Sequence, residues 1–250
     1  MTWEKFERGL SQSAISVYRT CPYAYKLHYI DCFKPIFWEP AYLELGRLVH
    51  DAIDYYYRHN YLSAPNTSED ILYYTYKKFT EDWQEKESTM TEDFFLKGYQ
   101  CLQNHATWEY QMIQNGIRTR PLTEIKIPAN GFFGILDYVD LNNDAAIDWK
   151  TGSYAYLSYD YRMQAAIYKI LYDDKFGRNL THFQFFFLHA NQWRTVKYDS
   201  EKQQEVLKET LELKDKIKKS YENDEWHKEP RLGTECKNCQ YKLFCKIKKL

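Results

Sequence analysis

Glycine and proline are scarce in this chain, at 9 and 7 of 250 residues, which excludes a collagen-like or linker-like polymer. An excess of either charge is also missing. Lys and Arg total 34 against 35 Asp and Glu, a net charge of −1, so a histone-like polycation is excluded but a local basic groove is not. Long hydrophobic runs are absent. The most apolar stretch, Phe183 to Leu188, contains Gln184 and falls far short of a membrane span. The first residues, Met1-Thr2-Trp3-Glu4-Lys5-Phe6-Glu7-Arg8, carry no apolar core of a secretion signal, which predicts a cytoplasmic protein with no membrane partner. Aromatics, by contrast, reach 18% with 24 Tyr, which argues against disorder. A chain rich in Lys, Asn, Ile, Phe and Tyr is what an AT-rich genome encodes, so only individually placed tyrosines carry functional weight.

Six cysteines are present, and three of them crowd the last fifteen residues as Cys236-x2-Cys239-x5-Cys245. In a chain read as cytoplasmic, a disulfide framework is disfavoured and a metal or cluster site is favoured. Zinc and iron–sulfur sites both commonly take four ligands. His227, Cys21 and Cys32 are the candidates for the fourth position. Pro22 directly after Cys21 fits a helix end or turn that presents the thiol. A second C-x2-C knuckle, as in zinc ribbons, is lacking. Cys101 lies in a helical stretch and reads as a core residue.

Periodicity predicts helices over residues 11–30, with Ser11 or Ser13 as cap, and over 42–60, where Leu45, Leu48, Val49, Ala52, Ile53 and Tyr56 form one apolar stripe. Asn66 to Glu69 is a turn and cap, with helices following at about 69–87 and 92–116. Leu122–Ile127, Phe132–Leu141 and Ala145–Trp149 read as strands, with Asn142-Asn143-Asp144 as the turn between the last two. A helix over 160–175 ends at Gly177-Arg178-Asn179, strands follow at 182–188 and 194–197, and a charged helix covers 199–222. This order predicts an α/β fold with a mixed central sheet and flanking helices. Residues 1–250 are read as one domain. Within it, 1–120 are mainly helical, 121–200 hold the core sheet and helix, and 201–250 hold a helix and the cysteine tail.

The sharpest chemical signal is Gly134-x2-Asp137 followed by Asp148-x-Lys150-Thr151-Gly152. Asp137 and Asp148 fall on neighbouring strands, and residues two apart on a strand, Asp148 and Lys150, share a face. Two acids and a lysine brought together beside apolar residues are costly unless a cation neutralises the acids. That pattern suits metal-assisted hydrolysis of a phosphodiester, with hard oxygen ligands for Mg²⁺ or Mn²⁺ and a lysine for the attacking water. An isolated D-x-K is common and by itself reads as a solvated ion pair. Its neighbours change the balance. His50 flanks the apolar stripe one turn after Gly46, and a nitrogen ligand there would favour Mn²⁺ relative to Mg²⁺. Gln164 and Tyr168 are four apart on a helix face just after the D-x-K strand. Glu124, near the first strand, offers a further acidic contact.

Taken in order, Ser13 to Cys21-Pro22, Gly46 to His50, Gly134-x2-Asp137, Asp148-x-Lys150-Thr151-Gly152, Gln164-x3-Tyr168 and the cysteine tail resemble the PD-(D/E)XK nuclease superfamily. The resemblance spans residues 13–245. It is nearest to the RecB-like branch with an iron–sulfur cluster, which includes the exonuclease V group and CRISPR-associated four-cysteine exonucleases. The resemblance implies a restriction-endonuclease-like core. It implies His50, Asp137, Asp148 and the Trp149 carbonyl as metal ligands, and Lys150 as the catalytic lysine. Gln164 and Tyr168 would support the site and touch the DNA. Cys21, Cys236, Cys239 and Cys245 would hold a [4Fe-4S] cluster that staples the C-terminal tail to the first helix. Leu136 stands where the superfamily's name has Pro, and Trp149 where Tyr is frequent.

The implied activity is a DNA exonuclease on single strands or ends, in repair, recombination or phage or CRISPR DNA processing. Helicase, recombination or CRISPR-adaptation proteins would be partners. No phosphate-binding G-x4-G-K-[ST] loop is present, so no helicase motor is expected within this sequence. Arg19, Lys26, Arg47, Lys242, Lys246, Lys248 and Lys249 are candidates for an electrostatic DNA funnel. Two competing readings are an adaptor subunit whose cleavage depends on partners and a zinc-binding nucleic-acid module.

Overall fold

The structure is a computed structural model, and it describes residues 9–33, 41–61, 67–86, 90–116, 120–228, 236 and 239–245. Helix α1 (Gln12–Thr20) opens at Ser11, whose hydroxyl accepts from the Ala14 N–H at 3.2 Å. The helix expected over 11–30 is not continuous. Cys21 is extended at φ −162°, and Pro22 starts α2 (Pro22–Tyr25), which loosens into a π-helical turn over Lys26–Ile30. The proline supplies no N–H to continue α1, and it disfavours a helical residue before it.

Helix α3 (Ala41–Tyr55) runs into a second π-helical turn over Tyr56–Asn60. Leu45, Leu48, Val49, Ala52, Ile53 and Tyr56 are all buried, as their spacing requires. Helix α4 (Ser68–Gln84) begins with a capping box, Thr67 and Asp70 bonding each other's backbone N–H. Helix α5 is Glu92–Gln114, and Cys101 is buried in it.

Five strands form one sheet in linear order: β1 (Leu122–Ala129), β2 (Phe132–Asp140), β3 (Ala145–Lys150), β4 (His182–Phe187) and β5 (Gln192–Lys197). All neighbours are antiparallel except β3 and β4. That parallel pair is joined by the crossover helix α6 (Tyr159–Phe176), which Ser158 caps and Gly177 ends at φ +62°. Helix α7 is Glu201–Asn223.

The sheet separates two hydrophobic layers. Phe183, Phe185 and Phe187 of β4 pack with α1, α6 and α7, whereas Phe186 and Leu188 pack with α3, α4 and α5. The period of two along a strand buried on both faces produces this division. The sheet is mixed with helices on both sides, as the sequence predicts. Among the described residues, no helix is long and apolar enough to cross a membrane.

Candidate metal and phosphodiester site

Strands β1, β2 and β3 set the acids. The β1–β2 register pairs Thr123 with Tyr138 and Ile125 with Leu136, which leaves Glu124 facing Asp137. Continuing the β2–β3 register, in which Tyr138 pairs with Ile147, places Asp137 opposite Asp148. Helix α3 brings in His50 from the other side. The ring Nδ1 lies 3.4 Å from Asp137 Oδ2 and 3.7 Å from Glu124 Oε1. His50 Nε2 is 2.9 Å from the Trp149 carbonyl oxygen and donates to it.

Ligand atoms of His50, Glu124 and Asp137 all lie within 4.8 Å of one another. An ion with oxygen ligands at about 2.1 Å separates opposite ligands by about 4.2 Å, so the cradle is close to the span an ion requires. The mixed nitrogen and oxygen donor set fits Mn²⁺ or Mg²⁺.

Electrostatics point the same way. Burial would lower the His50 pKa, but the carboxylates of Asp137, Glu124 and Asp148 outweigh it and raise it well above the usual histidine value. Without a metal, the histidine therefore supplies the positive charge that this group of acids demands. Burial pushes the Asp148 carboxyl up to about 6, Asp137 adds to the rise, and Lys150 opposes it. Asp148 Oδ1 is buried and pairs with the Lys150 ammonium at 2.5 Å.

Lys150 is fixed from three directions. Its ammonium pairs with Asp148, donates to Gln164 Oε1 at 3.0 Å and lies 4.9 Å above the Tyr161 ring. Burial would lower its pKa, but Asp148 and Asp137 raise it, so the lysine stays charged. The amide of Gln164 also donates to Asp148 Oδ2 at 2.8 Å and to the Tyr168 hydroxyl at 3.0 Å. Tyr168 is itself buried, 7% exposed, so in this structure its contact is with Gln164.

The structure therefore gathers His50, Asp137, Asp148, Trp149, Lys150, Gln164 and Tyr168 in one place. Glu124 is the member that the sequence weights too lightly. Its φ of +49° inside a strand is unusual for a residue with a side chain. A lone acid on a strand carries no motif. The usable signal was its place across the hairpin from Asp137.

The model of the PD-(D/E)XK nuclease superfamily matches residues 9–246. The chain belongs to the PD-(D/E)XK nuclease superfamily. Nuclease chemistry with a divalent metal such as Mg²⁺ or Mn²⁺ is what this superfamily supports, with DNA as its implied substrate. No curated protein matches the chain.

Among the described residues, no cysteine belongs to the His50–Glu124–Asp137 group. Cys21 is half-buried between α1 and α2, Cys239 and Cys245 are half-buried, and Cys236 is exposed. The tail folds back on the segment after Cys21. The Tyr241 hydroxyl hydrogen-bonds the His28 ring, and the Phe244 and Phe33 rings lie 4.5 Å apart. Tyr23 N–H donates to the His227 carbonyl at 3.1 Å, and Trp226 stacks on Tyr25 at 5.7 Å. Cys239 Sγ accepts from the Tyr241 N–H at 3.4 Å. Cys32 is exposed at φ +55° and its thiol donates to the Ile30 carbonyl.

Three of the seven funnel candidates are in ion pairs. Arg19 pairs with Asp160, Lys26 with Asp31 and Arg47 with Glu44. Lys246, Lys248 and Lys249 lie outside the described residues.

Proposed function

We propose that this chain is a metal-dependent DNA exonuclease acting on single strands or at DNA ends, in repair, recombination or phage or CRISPR DNA processing. The observation that carries the reading is the convergence of the His50–Glu124–Asp137 cradle with the Asp148–Lys150–Gln164 network on neighbouring strands. His50, Glu124, Asp137, Asp148 and the Trp149 carbonyl would hold Mn²⁺ or Mg²⁺. Bound there, such an ion would lower the pKa of a water and polarise a phosphate oxygen. Lys150, kept charged by its acids, orients the attacking water and faces the negative charge that builds on phosphorus-bound oxygens. Water adds to phosphorus and gives up a proton, the bridging P–O bond breaks, and that proton passes through solvent to the departing oxygen. Gln164 fixes Asp148 and Lys150 relative to each other, and Tyr168 fixes Gln164.

In the same reading Cys21, Cys236, Cys239 and Cys245 hold a [4Fe-4S] cluster. Its support is the tail's return to the Cys21 segment through Tyr241 and Phe244, together with the N–H bond on Cys239 sulfur. Hydrolysis needs no electron transfer, so the cluster serves as a staple that closes the chain's end on α2. Helicase, recombination or CRISPR-adaptation proteins are the proposed partners.

The test is anaerobic purification and incubation with single-stranded DNA labelled at either end, in Mn²⁺. Brown protein that shortens the strand progressively from one end is the expected result. A colourless zinc-loaded protein without cleavage would replace this reading with a zinc-binding module. A brown protein that cuts only with a partner would make it an adaptor subunit.

A further inference from the structure

The loop from β3 to α6, residues 151–158, leaves the Asp148–Lys150 strand and carries two tyrosines that face solvent. Tyr154 is 88% exposed and Tyr156 72%, more than any other aromatic among the described residues. Between and after them, Ala155 and Leu157 are half-buried against the core. The alternation points both rings outward from an anchored backbone.

That backbone is pinned. Arg194 Nε donates to the Ala155 carbonyl at 3.0 Å, Tyr156 N–H to the Tyr154 carbonyl at 3.1 Å, and Ser158 N–H to the Tyr156 carbonyl at 3.2 Å. Ser158 then caps α6. At the loop's root, Thr151 Oγ1 lies 3.6 Å from where a Cβ on Gly46 would stand, so the loop starts against α3 one turn before His50. The next tyrosines are already engaged. Arg19 lies 4.1 Å above Tyr159, and Lys150 lies over Tyr161.

Four residues reach at most about 14 Å, so Tyr154 stands within about four nucleotides of Lys150 at the stacked spacing of about 3.4 Å. Large rings held in water next to a phosphodiester site are poor packing but good stacking surfaces. Stacking on aromatics accepts any base, but a paired base has its faces hidden in the duplex.

We propose that Tyr154 and Tyr156 are a stacking platform for unpaired bases of the strand whose phosphate enters the His50–Asp137–Asp148–Lys150 site, and that they select single-stranded DNA over duplex. The proposal rests on the nuclease reading above.

The test uses the full chain in Mn²⁺ with Lys150→Ala, so that bound DNA is not consumed. Anisotropy of a labelled single-stranded oligonucleotide and of a blunt hairpin is compared for three proteins: this parent, Tyr154→Ala/Tyr156→Ala and Tyr154→Phe/Tyr156→Phe. The alanine pair weakens single-strand binding about tenfold or more, the phenylalanine pair stays within about twofold of the parent, and hairpin binding does not move. Abasic nucleotides near the bound end abolish the difference between parent and alanine pair. Equal single-strand binding by parent and alanine pair overturns the proposal. So does a phenylalanine pair as weak as the alanine pair, or an equal loss on the hairpin. The nuclease reading is checked separately with bis(p-nitrophenyl) phosphate, which offers no base. Failure of the Lys150-containing protein to hydrolyse both it and DNA sinks that reading, whatever the anisotropy shows.

Discussion

Gly134 and Tyr168 compete for one volume: a Cβ on Gly134 would stand 2.7 Å from Cε1 of the Tyr168 ring and 2.7 Å from Leu171 Cδ1. The glycine of the G-x2-D string is thus the seat of the tyrosine of the Q-x3-Y string. Through Gln164, that tyrosine bears on both Asp148 and Lys150. Gly134→Ala should cost about 1–3 kcal/mol, since both obstructing groups are packed in the core. Urea unfolding measures the loss. Cleavage should fall further than stability does, because the displaced ring releases Gln164. A variant with full stability and activity would show that the ring has room to move.

Much of this architecture was legible in the sequence, for identifiable reasons. The α3 stripe and the strands alternate with clear periods, and Gly177 marks the end of α6. The interruption at Cys21 was half-visible. Pro22 announced a turn at the thiol, but the helical pattern on either side suggested one element. The two π-helical turns leave no trace in an apolar pattern. At the site, the D-x-K spacing fixes which face Lys150 shares with Asp148. The bridge from Gln164 to both of them depends on how α6 packs across the sheet, and no local pattern encodes that. Glu124 was underweighted because its role depends on strand register and on a left-handed backbone that only glycine advertises.

Glu124 should matter to metal binding rather than to folding. Glu124→Gln keeps the side chain's size and removes one charge from the cradle of His50, Glu124 and Asp137. Mn²⁺ affinity, read by calorimetry, should fall about tenfold or more. Thermal stability without metal should hold or rise, since one of several crowded acids is gone. Unchanged Mn²⁺ affinity would remove Glu124 from the site.

Behind the site, Tyr57 donates to Glu109 Oε2 at 2.6 Å, and its hydroxyl lies 3.2 Å from His105 Nε2. Burial holds the His105 pKa down at about 3. In the unfolded chain the imidazole takes a proton near its ordinary value of about 6.5, which the folded protein refuses. Stability is therefore fully present above pH 6.5 and is lost as pH falls towards 3, at about 1.4 kcal/mol per pH unit. Chemical denaturation of wild type and His105→Gln at pH 7 and pH 5 should show the stability difference move against the wild type by about 2 kcal/mol. Parallel pH profiles would mean that His105 protonates in the folded state.

With the proposed [4Fe-4S] cluster on Cys21, Cys236, Cys239 and Cys245, Cys236→Ala should remove a brown absorbance and lower the melting temperature, because losing the cluster would free the tail from the Cys21 segment. Cys32→Ala should do neither. Unchanged colour in Cys236→Ala, or lost colour in Cys32→Ala, would reassign the ligands.

Lys150 has the central role in the proposed chemistry, handling the attacking water beside the candidate metal cradle. The most direct measurement is Mn²⁺-dependent cleavage of end-labelled single-stranded DNA by wild type and Lys150→Ala, with DNA binding measured on both. Cleavage by the wild type, a fall of about a hundredfold or more in the variant, and binding retained by both are the expected results. Cleavage at the wild-type rate by Lys150→Ala would contradict the catalytic role of this lysine.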